Sequence, residues 1–429
     1  MRRVICRVVF LCMLSAVMAG GAHARTWLIQ PDGSGDAPTI QAGVDSTVDG
    51  DVVVLASGTF TGPGNFNVDF GQQAITIRGA LAGNPGSAVV DCEGRGRGFI
   101  FNRGEDATSV LENITVRNGR ANFQGGAIFC RSSSPTIRGN IFENNFAARQ
   151  GGAIYCDSLL SAAFIQNNVF RENTSGQSGG GLWISGLSTV VVEGNEFARN
   201  GAMDNGGGLA CDASTPVISR NRFTDNRAPL GGGMDITDGS SPVVYENDFD
   251  SNQAEYGGGI RCERSSPCIE RNTFENNVAG TAGGGIYCEN ASPDILRNTF
   301  DGNTALAGGA GIHCVDFSIP RITNNIIANS PAGNAVEADL FSQPDIVCCD
   351  FFNNAGGNEL PPGADSGGNI SLDPEFCGVN GSGNFYLQAD SPCVDCNSQP
   401  IGRFGVGCKI VSVEVKSWGA LKLLYQEGR

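Results

Sequence analysis

Two short motifs recur in phase through most of this chain, and they constrain the fold more than any other feature. The first is a Gly-Gly pair (once Gly-Ala) followed by a short apolar stretch. It begins at Gly125, Gly151, Gly179, Gly206, Gly231, Gly257, Gly283 and Gly309, at intervals of 26, 28, 27, 25, 26, 26 and 26 residues. The second is Phe-x-x-Asn, starting at Phe142, Phe170, Phe197, Phe223, Phe249, Phe274 and Phe300. Two motifs held in phase over seven periods mean stacked supersecondary units, each burying its apolar face on its neighbours.

Aligning the periods shows what each unit is. The third residue after the first Gly is always apolar (Ile128, Ile154, Leu182, Leu209, Met234, Ile260, Ile286, Ile312). So is the fifth (Cys130, Cys156, Ile184, Cys211, Ile236, Cys262, Cys288, Cys314). The fourth is mixed: Phe129, Tyr155, Trp183, Ala210, Asp235, Arg261, Tyr287, His313. Alternation with period two predicts a strand with one buried face, the mixed column pointing outward to solvent. A further apolar column precedes each Phe by five residues, from Ile137 to Ile295, and the Phe column is itself buried. Three short strands per repeat leave no room for a helix, so successive coils must pair in parallel, ~4.8 Å apart. The architecture is all-β. Asn140, Asn168, Asn195, Asn221, Asn247, Asn272, Asn298 and Asn325 form another column. Asn is expected there because it tolerates left-handed corners and its amides can bond from coil to coil. Arg220, Glu246 and Arg271 alternate in sign, as a paired surface ladder would.

With Gly-Gly-Ala-Ile at 125–128 and 151–154 and the Phe-x-x-Asn column in view, the chain resembles a right-handed parallel β-helix of the pectate-lyase-like superfamily. Its repeats, over residues 111–354, resemble those of polymorphic outer-membrane proteins, which are typically adhesive passengers tied to a β-barrel. No run of ten-residue alternating strands remains here for such a barrel. The order of residues 27–60 is similar to the start of pectin-methylesterase-like β-helices. There Ile40, Val44 and Val48 at helical spacing, behind Thr39, predict a short helix covering the first coil. The expected layout is a signal peptide at 1–24, the β-helix at 25–376, a small cap at 377–408 and a tail at 409–429. Arg2, Arg3 and Arg7, an apolar run and Ala22-His23-Ala24 carry the signal reading. It implies a secreted or cell-surface protein in an oxidising compartment, with no transmembrane segment once the signal is removed. Residues 355–373 read as a loop and Phe385–Leu387 as a strand. Cys377, Cys393, Cys396 and Cys408 are expected to bond largely among themselves, while the inward cysteines from Cys130 to Cys314 stay reduced. The lysines all follow Cys408, at 409, 416 and 422.

Composition excludes some functions. Asp and Glu total 44 against 28 Lys and Arg, so nucleic acid is not an expected partner. Downstream of the signal, His313 is the sole histidine, so any His-dependent triad would have to use it. Phosphate-loop and dinucleotide fingerprints are missing, as are the motifs of polygalacturonases and pectate lyases. The expected ligand strip is the outward column: Phe129, Tyr155 and Trp183 to stack on sugar rings, then Asp235, Arg261, Tyr287 and His313, with Asp212, Asp238 and Glu263 nearby. Asp250, Glu275 and Asp301, each just after a Phe, form a like-charged column that a calcium ion could bridge; no other cofactor is expected. The favoured function is a non-catalytic module that binds carbohydrate, a partner or a surface. The alternative is a lyase or hydrolase acting on acidic polysaccharide, working from the same strip.

Overall fold

The computed structural model describes residues 24–157, 163–378 and 384–408. Nearly all of the expected signal peptide (residues 1–23) and the whole tail (409–429) lie outside these residues. No helix among the described residues is long and apolar enough to cross a membrane. The chain winds as a right-handed parallel β-solenoid of about 12 turns. One long sheet carries the Ile137 column, in thirteen described strands from Thr26–Ile29 to Asp345–Val347. A second carries the Phe column, in twelve described strands from Gly58–Phe60 to Asp350–Phe352. The third carries the Gly-Gly strands.

Register follows the repeat without slippage across the middle coils, as in Phe223↔Phe249 and Cys262↔Cys288. The predicted inner columns all lie in one continuous core, with Phe142 through Phe300 at zero exposure. From Phe170 to Phe300 the rings stack with centroids 4.5–5.0 Å apart and planes within 7°. The inward cysteines from Cys130 to Cys314 are free thiols, packed as small hydrophobes.

The asparagines form two buried ladders, one from Asn140 to Asn325 and one from Asn145 to Asn303. Asn252 is typical. Its Oδ1 accepts from the backbone and side chain of Asn226, and its Nδ2 donates to Phe223 O and to Asn277 Oδ1, all at 2.9–3.0 Å. The left-handed corners, however, are not at these asparagines. They fall on the residue before, as at Arg220 (φ 54°), Glu246 (55°), Arg271 (55°) and Ser251 (58°). The ladder amide has to point inward and bond both neighbouring coils, so the preceding residue makes the bend. That geometry costs ~1–2 kcal/mol per non-glycine residue, offset by the amide bonds. The charged corner residues pair across coils with strand residues: Arg220 with Glu193, and Arg297 with Glu270 at 3.6 Å.

A fourth, short strand per coil was not expected. Arg120–Ala121, Phe146–Ala147, Thr174–Ser175 and Gly201–Ala202 make a narrow extra face between the Phe corner and the Gly pair. Two residues are too few to leave an alternating pattern.

At the start, helix Ile40–Asp45 covers the first coil, with Thr39 Oγ1 accepting from Ala42 N at 3.2 Å. Ile40 and Val44 are buried, but the helix stops before Val48, which is 61% exposed. At the other end residues 355–373 form the expected loop, laid on the last coil as an irregular turn and bridged at Ile346↔Asp365 and Asp350↔Ile370. Two further expectations are corrected. Phe385–Leu387 makes no strand; Leu387 alone bridges Phe376 and Val406. Of the four cap cysteines, Cys377 bonds Cys408, but Cys396 reaches the last coil to bond Cys348, and Cys393 stays a buried thiol. The cap does not close on itself because residues 399–407 fold back along the Phe face. There Gly402 N donates to Asn324 O and Arg403 N to Thr299 Oγ1.

Candidate functional site

The Gly-Gly face positions the predicted strip. The first glycine of each pair from Gly125 to Gly283 is left-handed, φ +67° at Gly179, and a Cβ there would sit 2.5 Å from Leu182 O. Only glycine makes this turn. It holds the fourth-position residues in register from Phe129 to His313, on the side away from the inner core.

These residues do not face open solvent, contrary to expectation. Tyr155, Trp183, Asp235, Arg261 and Tyr287 are each at most 9% exposed, while Phe129 and His313 are half-buried. At two of the Gly turns the residue before the pair lies over the column. Asn205 bonds Asp235 Oδ2 at 3.1 Å, and the Tyr256 ring lies 5.0 Å from that of Tyr287.

The strip resolves into three separate groups. In the first, Phe129 and Tyr155 stack at 5.4 Å and Tyr155 and Trp183 at 4.8 Å, with the Arg97 guanidinium 5.2 Å from Phe129. The ring faces a sugar would stack on are occupied by one another. In the second, Arg261 donates to Asp235 (3.2 Å), Glu263 (2.6 Å) and Glu289 (3.0 Å). Burial works against that guanidinium's charge, but the three carboxylates outweigh it and hold the proton on. Both terminal nitrogens of Arg261 are thus engaged, and its Nε, which has no partner, is buried, so no fork is open to a uronate from solvent. Burial pushes Asp235 up to about 7, although Arg261 and Asn205 pull the other way. In the third, His313 stacks on Tyr287 at 5.7 Å, and its Nδ1 accepts from Gly309 N at 3.1 Å. Burial lowers its pKa against the pull of Glu337 and Asp339, so it is neutral at pH 7. With Nδ1 engaged, it is a poor general base from that atom.

The acid column on the Phe face lies in register, Asp250↔Glu275↔Asp301. Burial pushes Glu275 up to about 7, and the charges of Asp250 and Asp301 add to the effect. Asp301 is raised by burial, while Asn329 donates to it at 2.8 Å. Arg222 stands 3.5 Å from Asp250. Among the described residues, no group of three or more His, Cys, Asp or Glu side chains is placed to hold a metal ion. Asp250 and Glu275 of the column instead help form one wall of a cleft of about 310 Å³, whose other wall is the folded-back cap: Phe385, Arg403 and Phe404. Arg403 reaches Thr273 Oγ1 at 2.6 Å and also pairs with Asp248. Sequence reasoning missed these cap residues, since Arg403 and Asp248 are 155 positions apart and no local pattern joins them.

A larger groove, about 1000 Å³, runs along the short fourth strands. Phe146, Thr174, Gly201, Arg227, Gln253 and Val278 line it, one from each of six coils.

A family model described as the right-handed beta helix region matches residues 161–305, and one for the Chlamydia polymorphic membrane protein repeat matches residues 141–157. The chain is a right-handed parallel β-helix repeat protein. No curated protein matches it. Among solved structures, an alginate lyase of the PL6 family, AlyGC, superposes with a TM-score of 0.50 at 16% identity. The match covers 89% of this chain and 58% of the lyase, so the chain spans less than two thirds of that enzyme. The complex of XylC with xylose gives a TM-score of 0.48 at 11% identity, covering 82% of this chain and 87% of XylC. Pectate lyase Pel9A gives 0.41 at 14% identity, covering 90% and 98%. At such identities the likeness is one of fold. The superposition on the alginate lyase shows a shared β-helix fold.

Proposed function

We propose that this β-helix is a secreted or surface-displayed binding module that engages a polysaccharide or another surface partner along the groove of its short fourth strands. One observation carries the reading. The groups on the Gly-Gly face that would do chemistry are covered and, apart from the buried Arg261 Nε, engaged with one another, whereas the groove stays open over six coils, ~24 Å of rod. The polymorphic-membrane-protein repeat at 141–157 agrees with a surface role. Gly201 offers a clean test, because a Cβ there meets nothing nearer than 3.7 Å. Gly201→Phe should fill the groove without disturbing the coil. Screening the wild type and this variant on a glycan array and on cell-surface extracts should show binding that the variant loses. Binding that survives the change would overturn the groove as the site.

A second reading, cleavage of acidic polysaccharide, is favoured by the cleft under the cap. There Glu275, protonated near neutrality, stands beside Asp250, with Arg222 at hand for a uronate. One acid and one carboxylate is the pairing that glycosidic cleavage uses. Release of uronides or reducing ends by the wild type, abolished in Glu275→Gln, would establish this reading over the first.

A further inference from the structure

The join between the last coil and the cap holds one disulfide and three further polar or sulfur groups, none of which lines either surface cleft. Cys348 on the last coil is bonded to Cys396 in the cap. Three residues earlier, Cys393 is a free thiol with zero exposure, and its Sγ–H donates to Asp350 Oδ2 at 3.1 Å. Asp350 is itself fully buried, and its other oxygen accepts from Leu372 N at 3.1 Å. On the far side of the bridge, Asn397 Nδ2 lies 3.1 Å from Cys348 Sγ. A small hairpin keeps the two cap cysteines together: Cys396 N donates to Gln399 O, and Ile401 N donates to Cys393 O. Cys396 packs against the same apolar cluster that contains Cys393, with Ile326 and Leu387.

A buried thiol that merely fills space needs no carboxylate. A buried carboxylate is costly unless it is paired or hydrogen-bonded. Here the carboxylate meets a thiol rather than a cation. Burial raises Asp350 to about 6, so it is ionised at neutral pH and can accept a proton. Burial, then the charge of Asp350, raises the Cys393 thiol far above its ordinary range, so it is protonated at rest.

We propose that Cys393, Cys396 and Cys348 form an internal thiol–disulfide exchange centre, with Asp350 as proton acceptor for Cys393 and Asn397 as hydrogen-bond donor to the departing sulfur. As Cys393 passes its proton to Asp350, its sulfur attacks Cys396 Sγ. The Cys393–Cys396 bond forms and the Cys348–Cys396 bond breaks. The electron pair leaves on Cys348, held by the Asn397 amide, and Cys348 then takes up a proton. One disulfide and one thiol exist before and after, so no outside oxidant or reductant is needed. In the resting isomer the bridge ties the cap to the rod. In the exchanged isomer both bonded sulfurs belong to the cap, and the 399–407 segment is kept on the Phe face by non-covalent contacts such as those of Arg403. Exchange is therefore a latch on the cap.

The test uses the full-length protein with N-ethylmaleimide as a trap. Cys348 becomes alkylatable only in the exchanged isomer, and peptide mass spectrometry reads alkylated Cys348 together with a Cys393–Cys396 bridge. The wild type should accumulate this pair with time. Cys393→Ser should not form it, and Asp350→Asn should form it at least tenfold more slowly, with the Cys377–Cys408 bridge and far-UV circular dichroism unchanged in both. A Cys348 that stays unlabelled in the wild type, or is labelled equally fast in Cys393→Ser, would overturn the proposal. An unchanged rate in Asp350→Asn would remove Asp350 from it.

Discussion

Replacing Asn252 by Leu tests the physical core of the rod. The two side chains are similar in size, so the change leaves little cavity, and its cost falls on hydrogen bonding. Asn252 Oδ1 is the partner recorded for the backbone N–H of Asn226 and takes a second bond from the Asn226 amide. Its Nδ2 serves Phe223 O and Asn277 Oδ1. Three of these four groups keep another partner: Asn226 Nδ2 still reaches Phe197 O, and Asn277 Oδ1 still receives Asn252 N. Phe223 O stays in the parallel ladder with Asp248–Asp250, so the Asn226 N–H is the group left buried and unmet. At ~1–3 kcal/mol for an unsatisfied group, the loss should be about 1–3 kcal/mol. A leucine in the ladder also meets polar edges on both sides, which holds the value in the upper half of that range. Urea unfolding followed by circular dichroism measures the total. Hydrogen exchange of the Asn226 amide localises it, since a solenoid spreads damage mainly to neighbouring coils. A loss under ~1 kcal/mol, or an Asn226 amide as protected as before, would refute the account of the ladder as a set of obligatory bonds.

Phe249→Ala removes a ring stacked 4.7 Å from Phe223 and 5.0 Å from Phe274, and should cost ~3–5 kcal/mol in the same unfolding assay. Trp183→Ala should destabilise the rod but leave glycan binding intact, because the ring is stacked on Tyr155, clustered with Ala210 and only 9% exposed; a binding loss in an array with the fold unchanged would contradict this. Arg261→Met strands the buried Asp235, and breaking such a pair should cost ~3–5 kcal/mol at neutral pH, read as a shifted urea midpoint. Glu275 is raised from 4.5 to about 7 in the fold, so the native state holds a proton there that the unfolded chain has lost. Its contribution is full below about pH 4.5 and is lost as pH rises through 7. Glu275→Gln should accordingly flatten the decline of melting temperature across that window, and an unchanged slope would count against the burial that raises this acid.

Much of the fold was legible because each coil repeats the same demand. A column that must be Phe or Ile in every period can only be inside, and period-two alternation in the Gly-Gly strand correctly separated Ile128 and Cys130 from Phe129. Alternation says only that a side chain points away from the inner core. It is silent on what lies over that side chain, so Trp183 and Arg261 were expected in solvent and are covered instead. The cover comes from residues such as Asn205 and Tyr256, whose sequence gives no sign that the following glycine turns them back over the next coil.

The asparagine corner shows a subtler limit. The residue type was read correctly as a corner marker, but the left-handed angle was assigned to the amide rather than to the variable residue before it. A conformation that Arg, Glu, Ser and Asp all adopt leaves no signature at its own position; the signature lies at the neighbour whose hydrogen bonds compel it. The cap differs in kind. Arg403 meeting Asp248 and Thr273, and Cys396 meeting Cys348, are single contacts between distant segments, made once and never repeated. Repetition is what made the rod readable, so the one part of the chain that breaks the repeat is where sequence reasoning lost the cleft, the disulfide partner and the buried thiol together. In a solenoid whose coils share one packing solution, the non-repeating contacts are the ones free to carry a specific task, and here the latch residues Cys393, Cys396 and Asn397 lie just ahead of the 399–407 segment that walls the acid cleft.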